Sequence, residues 1–305
     1  MKSLTLYASQ LASYVGKHKF KKPHDALQNL WNQVSPSTFL AAHRRNGSLT
    51  TDMKLDQILS SNSDVRTILV ASERPYETST EASGAYRSVL DQLDQVVTLN
   101  EEERAVVMDE ARKTVYTSFG NAREAPVLED LQHRGIDCRE DPATYRQHLM
   151  TVNGIDVIVS GRVDAMSSDG KTVIEIKNRV HRLFHRIPTY ERIQLETYLR
   201  IVPGVDRGVL VECLTRPDHK YVNTFVVTRD DALWDEVLGG LEAFVRYFLK
   251  VLGDPLEQDA FLREPVKTLR GSVSRGSWTQ RVDQGQDDGE PHEEDAQPSK
   301  PVPVR

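Results

Sequence analysis

The sequence has little of what a secreted, membrane-spanning or zinc-scaffolded protein needs. Its 305 residues include two cysteines, Cys138 and Cys213, and neither lies in a C-x-x-C pair. The sequence therefore predicts neither a disulfide framework nor a zinc knuckle. It fits a protein of a reducing compartment. No apolar run approaches the roughly 18 residues of a transmembrane helix, and the first residues lack the apolar core of a secretory signal. We expect an intracellular protein without a membrane segment, in the cytoplasm or the nucleus.

A common nucleotide-binding signature and internal repeats are also missing. There is no glycine-rich loop of the G-x-x-x-x-G-K type and no internal repeat. P-loop and dinucleotide-binding functions therefore carry little weight.

The charge balance is acidic but uneven. The chain has 39 Lys and Arg against 45 Asp and Glu, a formal net charge of −6. Such a balance argues against a protein that coats nucleic acid through bulk positive charge. Residues 271–305, however, hold 4 basic and 7 acidic residues and contribute 4 − 7 = −3 of that charge. Because this tail has few large apolar residues, we expect it to be disordered. A local basic surface elsewhere remains compatible with the composition.

The amino-terminal part predicts helices separated by polar connections. Apolar spacing in residues 4–31 suggests two short helices broken near residues 16–23. Residues 44–85 are polar and predict a loop-rich connection with short elements.

Helical spacing returns at residues 86–97 and 101–116. Asn100 followed by Glu103 predicts a capping box at the start of the second helix. Gly120 is a plausible stop, and residues 124–134 predict a further helix.

The period then changes to that of strands. Tyr145–Val152 and residues 155–164 alternate around Asn153-Gly154, a dipeptide typical of a type I′ turn. A turn at residues 167–170 leads into a β-branched strand at residues 171–177. Further elements are a helix at residues 188–201, strands at 207–214 and 221–228, and a helix at 232–252. The order α-β-β-β-α-β-β predicts a mixed sheet flanked by helices, an α/β fold.

Two acids and a lysine on these strands suggest a metal-dependent chemistry. Asp164 ends one predicted strand and Glu175 lies in the next, so antiparallel pairing would bring their carboxylates together. Lys177 is two residues after Glu175 and lies on the same face of the strand. Hard oxygen ligands of this kind suit a divalent cation that hydrolyses a phosphodiester, and the lysine can orient the attacking water. Other acid-x-Lys triplets, beginning at Asp52, Asp169 and Asp218, lack a second acid placed in this way.

At this point the chain resembles the PD-(D/E)xK nuclease superfamily, in its RecB-like and phage lambda exonuclease (YqaJ-type viral recombinase) branch. The matching segments are Gly161-Arg162-Val163-Asp164, Val173-Ile174-Glu175-Ile176-Lys177, and Gln194-Leu195-Glu196-Thr197-Tyr198, which looks like the Q-x-x-x-Y helix of that branch. Two weaker matches are Glu124 with Pro126, similar to the G-x-x-x-E-P helix, and Ser9 in the opening helix. Pro126 falls one residue later than in the commonest form. The resemblance covers roughly residues 5–45 and 115–228.

The resemblance implies a restriction-endonuclease-like αβββαβ core at residues 115–265. An amino-terminal helical region with a polar connecting segment at residues 1–114 would precede it.

It also implies roles for individual residues. Glu124, Asp164, Glu175 and the Ile176 carbonyl would hold Mg²⁺ or Mn²⁺, and Lys177 would position the water. Gln194 and Tyr198 would shape the site. Ser9, Arg179, Arg182 and Arg186 would grip nucleic-acid phosphates.

Each role has a plainer alternative. Glu175 and Lys177 could form the solvent face of an edge strand, and Glu124 could close a capping box with Asn121. Tyr198 could simply pack while Gln194 is solvated. Ser9 could cap a helix, and the basic run from Lys177 to Arg192 could be a solvated face.

The function predicted on these grounds is a metal-dependent DNA exonuclease of recombination or repair. The alternatives are an endonuclease on RNA or branched DNA, and a catalytically inactive nucleic-acid-binding protein with the same fold. The resemblance also allows a homo-oligomer.

Overall fold

The computed structural model describes residues 1–184 and 186–263. The predicted disordered tail, residues 271–305, lies outside the described residues, as do residues 264 and 265 at the end of the predicted core. Within the described ranges, every helix is too short or too polar to cross a lipid bilayer.

The strands form two sheets. The first contains β1 (Ser3–Tyr7), β3 (Tyr145–Val152) and β4 (Ile155–Gly161), in the order β1-β4-β3. The second has the order β2-β5-β6-β7-β8, and its strands are β2 (Arg139–Glu140), β5 (Ala165–Met166), β6 (Thr172–Asn178), β7 (Arg207–Thr215) and β8 (Lys220–Val227). β1 is parallel to β4 and β6 is parallel to β7, whereas the other neighbours are antiparallel.

The helices surround these sheets. They are α1 (Leu11–Tyr14), α2 (Pro23–Val34), α3 (Pro36–Asn46), α4 (Thr51–Ser61), α5 (Ser63–Ser72), α6 (Ser79–Asp94), α7 (Glu101–His133), α8 (Thr189–Ile201), α9 (Asp231–Gly253) and α10 (Pro255–Arg263). A 3-10 turn, Ala8–Gln10, joins β1 to α1. The predicted mixed α/β fold is confirmed.

The predicted hairpin and cap are also confirmed. Asn153 and Gly154 both have positive φ, 50° and 77°, which a type I′ turn requires. The Asn100 side chain accepts from the Glu103 amide, and the Glu103 side chain accepts from the Asn100 amide. The capping box therefore starts α7 as expected.

The amino-terminal prediction was wrong in two places. Residues 3–7 form a strand, because Leu4 and Leu6 are buried on one face while the residues between them are not. Residues 44–85 contain α4, α5 and the start of α6 in place of a loop-rich connection. Each of these helices begins at a side-chain cap, from Thr50, Asn62 and Thr78 respectively, which offsets the polar composition of the segment.

The predicted stop at Gly120 was wrong as well. α7 continues through Gly120 and Pro126 to His133, so the predicted boundary at residues 114 and 115 falls inside one helix. Gly120 costs helix stability without ending the helix.

Four apolar clusters of the described residues hold the elements together, and the smallest of them packs Tyr76 and Ala82 against Val115 and Phe119 of α7. The largest joins the amino-terminal turn, α8 and α9, and includes Leu11, Trp31, Leu199 and Phe244. A second lies among α4, α5, α6 and α7. A third packs the end of α7 against β6 and β7. β6 and the helix α8 therefore stand between packed layers, where side chains have little freedom to move.

Candidate active site

The pairing of β5 with β6 fixes the two acids. Ala165 pairs with Ile174 in antiparallel register, which brings Asp164 next to Glu175. Asp164 Oδ2 accepts a hydrogen bond of 2.7 Å from the Ile176 amide. Asp164 lies between β4 and β5 and not at the end of one long strand as predicted, because the chain leaves the β4 ladder after Gly161. The predicted antiparallel juxtaposition is nevertheless present.

Glu175, Lys177 and Gln194 form one hydrogen-bonded group. Glu175 is only 4% exposed. Its Oε1 accepts from Lys177 Nζ at 2.6 Å and from Gln194 Nε2 at 2.8 Å. Lys177 Nζ also lies 3.3 Å from Gln194 Oε1. Since β6 lies between β5 and β7, Glu175 and Lys177 do not form the solvent face of an edge strand.

The second oxygen of Glu175 has no partner. Among the described residues, Oε2 is one of seven buried side-chain atoms without a hydrogen bond. Burial raises the pKa of Glu175 to about 7; the Lys177 charge opposes this rise and the Asp164 charge adds to it. A buried carboxylate with an unfilled acceptor is costly. A cation bound at Oε2 would remove that cost.

Glu124 approaches the same acids from α7. It is half-buried, and burial followed by the charge of Asp164 raises its pKa. Because α7 is continuous across Asn121, the alternative in which Glu124 closes a capping box is not formed. Burial likewise raises the pKa of Asp164, while its bond from the Ile176 amide and the Lys177 charge lower it. Three carboxyl groups thus share one poorly solvated region.

These donors fit Mg²⁺ or Mn²⁺ in chemistry. Both ions prefer oxygen ligands from carboxylates and carbonyls. Within the part of the chain that the structure describes, however, no three His, Cys, Asp or Glu side chains are already arranged as a metal site. The carboxylate cluster and the unpartnered Oε2 agree with binding of Mg²⁺ or Mn²⁺, which stays a prediction.

Tyr198 closes the site from the side of α8. Its hydroxyl donates to the Arg162 carbonyl at 2.9 Å and lies 3.0 Å from Gln194 Nε2. This approach depends on Gly161, where an added Cβ would lie 2.8 Å from Tyr198 Cε1 and 2.9 Å from the Ala8 Cβ. Gln194 is therefore not simply solvated, and Tyr198 does more than pack. We call Asp164, Glu175, Lys177, Gln194 and Tyr198 the Glu175 site.

Ser9 lies in the 3-10 turn beside α8. It is exposed, and the turn is capped at Tyr7 without a side-chain hydrogen bond, so Ser9 is not a helix cap. Arg182 and Arg186 are exposed in the connection between β6 and α8. Their phosphate contacts, like that of Ser9, stay predictions.

Arg179 needs a correction. Its side chain is 12% exposed, and its guanidinium donates two hydrogen bonds of 2.7 Å to the Glu191 carboxylate and one of 2.8 Å to Glu212 Oε1. It also lies over the Phe184 ring. Two buried carboxylates already occupy its donors, so Arg179 does not belong to the phosphate-binding set.

Sequence reasoning missed three residues around the site. Arg162 lies close enough to influence the pKa values of Glu124 and Asp164, and it stands inside a motif that was noted for other residues. Asn178 follows Lys177 and donates to the Gly120 carbonyl at 3.1 Å, which ties β6 to α7. Lys21 lies near Lys177, and only the density of lysines around it could have pointed to it.

Comparisons with known proteins add little to this geometry. No family model matches the sequence, and no curated protein matches it. Two solved structures of LHK-Exo, an alkaline exonuclease from Laribacter hongkongensis, one of them with dAMP, are 18% and 17% identical. They cover 57% and 56% of this chain and 93% and 91% of theirs, each with a TM-score of 0.33. The structure of SSO0001 is 17% identical over 56% of this chain and 86% of that one, with a TM-score of 0.34. Likenesses this slight carry no argument about family or function.

Proposed function

We propose that this chain is a metal-dependent nuclease that hydrolyses phosphodiester bonds at the Glu175 site. One observation carries the proposal. Glu175 is buried beside Asp164, has an unpartnered Oε2, and is bonded through Oε1 to a lysine. A carboxylate held only for stability would have both oxygens satisfied.

Residues in and beside the Glu175 site would have two roles, while Gln194 and Tyr198 would shape the site. Glu124, Asp164, Glu175 and the Ile176 carbonyl would hold Mg²⁺ or Mn²⁺, which when bound supplies an activated water and offsets charge on the phosphate. Lys177 would orient the attacking water and stabilise the charge that develops in the transition state. Its bond to Glu175 and its contact with Gln194 fix the ammonium group before substrate arrives.

DNA as substrate, attack from an end, and a role in recombination or repair rest on the motif resemblance alone. An endonuclease acting on RNA or on branched DNA uses the same residues. Release of nucleotides from linear duplex DNA without cutting of a closed circle would support the exonuclease.

The deciding experiment compares wild type with Glu175→Gln and Lys177→Ala in Mg²⁺ and in Mn²⁺. We expect each substitution to lower the hydrolysis rate by about 10²- to 10³-fold, as when one group that stabilises a transition state is removed. Lys54→Ala is the matched control, because Asp52-x-Lys54 has the same acid-x-Lys pattern on the exposed helix α4. Equal activity in all four proteins would contradict the proposal. Binding that is indifferent to metal and to Glu175→Gln would favour the inactive nucleic-acid-binding alternative.

A further inference from the structure

A lysine-rich loop lies between α1 and α2, at residues 17–22. Its sequence is Lys17-His18-Lys19-Phe20-Lys21-Lys22, four lysines with two aromatic rings between them. Basic residues alternating with aromatic ones are typical of surfaces that bind nucleic acid, since lysines meet phosphates and rings meet bases. Neither the metal site nor the predicted arginine set uses this loop.

His18 holds the loop in one shape. Its Nδ1 accepts from the Phe20 amide at 3.2 Å and from the Lys21 amide at 3.1 Å. Its ring stacks on Tyr190 with the ring centres 4.5 Å apart. Burial and the Lys21 charge lower the pKa of His18 to about 4, against the opposing charge of Glu191. The His18 ring is therefore neutral at neutral pH. This agrees with its hydrogen bonds, because Nδ1 can accept from the two amides only when it carries no proton.

This arrangement displays Phe20 at the surface. Its side chain is 69% exposed, and its ring lies 6.3 Å from both the His18 and the Tyr190 rings, edge-on to each. Lys19 Nζ lies 5.6 Å from the Phe20 ring centre. Exposing a large aromatic ring to water is unfavourable, so a ring that a hydrogen-bonded loop holds at the surface beside lysines indicates a contact with a partner. The Phe20 ring has an open face on which a flat partner can stack.

The loop is anchored beside the Glu175 site. Tyr190, on which His18 stacks, lies on α8 one helical turn before Gln194. Lys21 is close enough to Lys177 and to Lys113 of α7 for their charges, after burial, to lower its pKa. The lysine-rich loop therefore lies beside the Glu175 site.

We propose that the lysine-rich loop holds an unpaired stretch of DNA beside the Glu175 site, with a base stacked on Phe20 and neighbouring phosphates held by Lys21 and Lys22. The phosphate charge complements the lysines, and an unpaired strand alone offers a free base face to the ring. This inference rests on the proposed function only in taking the bound strand to be the strand that is hydrolysed. It deepens that function by naming the substrate as DNA with an unpaired segment or end.

The test is binding of fluorescently labelled oligothymidylate to the full chain by anisotropy, in EDTA so that no hydrolysis occurs. Phe20→Ala should weaken binding about 10-fold, in the range of one base stacked on an aromatic ring. Phe20→Trp should restore it, because tryptophan offers an equal or larger face. Leu256→Ala is the matched control, since Leu256 is also a large exposed apolar residue, 77% exposed, but lies in α10 outside the lysine-rich loop. Melting temperatures of all variants should be equal, because neither side chain is in the core.

A second probe separates stacking from charge. A deoxyribose phosphate strand without bases should bind wild type about 10-fold less tightly than oligothymidylate, and Phe20→Ala should bind both strands equally. Lys21→Gln should instead lessen the salt dependence of binding to both strands by about one counterion. Equal binding of oligothymidylate by Phe20→Ala and Leu256→Ala would overturn the proposal. So would a loss in Phe20→Ala that is the same for the strand without bases.

The two proposals fail in different ways. If Glu175→Gln and Lys177→Ala leave hydrolysis unchanged while Phe20→Ala loses binding, the proposed function is wrong and the proposal for the lysine-rich loop is supported. If the site variants are inactive and Phe20→Ala binds every strand like wild type, the loop is wrong and the nuclease is right.

Discussion

Two charged groups, one on β6 and one directly after it, differ in how completely their charges are matched. The Arg179 cluster consists of Arg179, Glu191 and Glu212. There the guanidinium bonds to both oxygens of Glu191 and to Oε1 of Glu212, while Glu212 Oε2 accepts from the Phe184 amide. At the Glu175 site, four residues earlier in the chain, Oε1 has two donors and Oε2 has none.

Burial is the same in both groups, so it does not explain the difference. Glu175, Glu191 and Glu212 are each at most 4% exposed. Removing a carboxylate from water costs several kcal/mol, and the cost is recovered only when its oxygens are hydrogen-bonded. The Arg179 cluster meets that condition with its own residues. The Glu175 site leaves an acceptor open, which agrees with the proposed role of Glu175 as a ligand of a cation.

The largest effect is expected from breaking the matched group. Arg179→Ala would leave two buried carboxylates without their cation and should destabilise the protein by about 3–5 kcal/mol. Denaturant unfolding measures the change. Arg246→Ala is the control, because Arg246 pairs with Glu242 at the surface and should cost no more than about 1 kcal/mol. If Arg179→Ala lowers the free energy of unfolding by no more than Arg246→Ala does, the Arg179 cluster is not held together by matched buried charges.

A second variant disturbs the Glu175 site and leaves the Arg179 cluster intact. Gly161→Ala places a Cβ within 3 Å of both Tyr198 and Ala8, and overpacking of this kind costs about 1–3 kcal/mol. Gly120→Ala in α7 meets nothing within 4 Å and should stabilise the helix by about 0.5–1 kcal/mol. A lower melting temperature for Gly161→Ala and a higher one for Gly120→Ala would support this placement of Tyr198. Stabilisation by both substitutions would contradict it.

The same contrast explains what the sequence could predict. That Asp164, Glu175 and Lys177 lie close together could be predicted because they fall within 14 residues, where local strand pairing and period-2 alternation fix their neighbours. The Asn153-Gly154 turn and the Asn100 cap are local in the same sense.

The partners of Arg179 come from elsewhere in the chain, and alternation along β6 does not predict them. Glu191 and Glu212 lie on α8 and β7, 12 and 33 residues away. The sequence therefore predicted that Arg179 grips nucleic-acid phosphates and not that it pairs with buried carboxylates. β1 was missed for a similar reason, because its parallel partner β4 lies some 150 residues further along. The capped helices at residues 51–94 were missed because their polar composition hid their starts, although Thr50, Asn62 and Thr78 are all good capping residues.

The smallest effect is also the most specific to the open acceptor. If Oε2 of Glu175 awaits a cation, Mg²⁺ should stabilise the folded protein relative to the same protein in EDTA. At a concentration ten times its dissociation constant, the ion would contribute about 1.4 kcal/mol, which is a rise of a few degrees in melting temperature for a protein of this size.

Glu175→Gln should lose most of that rise, because an amide is a poorer ligand than a carboxylate. Glu242→Gln should keep it, since Glu242 lies on the surface of α9, where it accepts from Arg246. Arg179→Ala should keep it as well, although its melting temperature starts lower, because the carboxylates it exposes are not those of the Glu175 site. A shift that is equal in Glu175→Gln and wild type would mean that the ion binds elsewhere, and the unpartnered oxygen would then need a different explanation. Calorimetric scans with and without Mg²⁺ on these four proteins therefore separate a charge held for the fold from a charge held for a ligand.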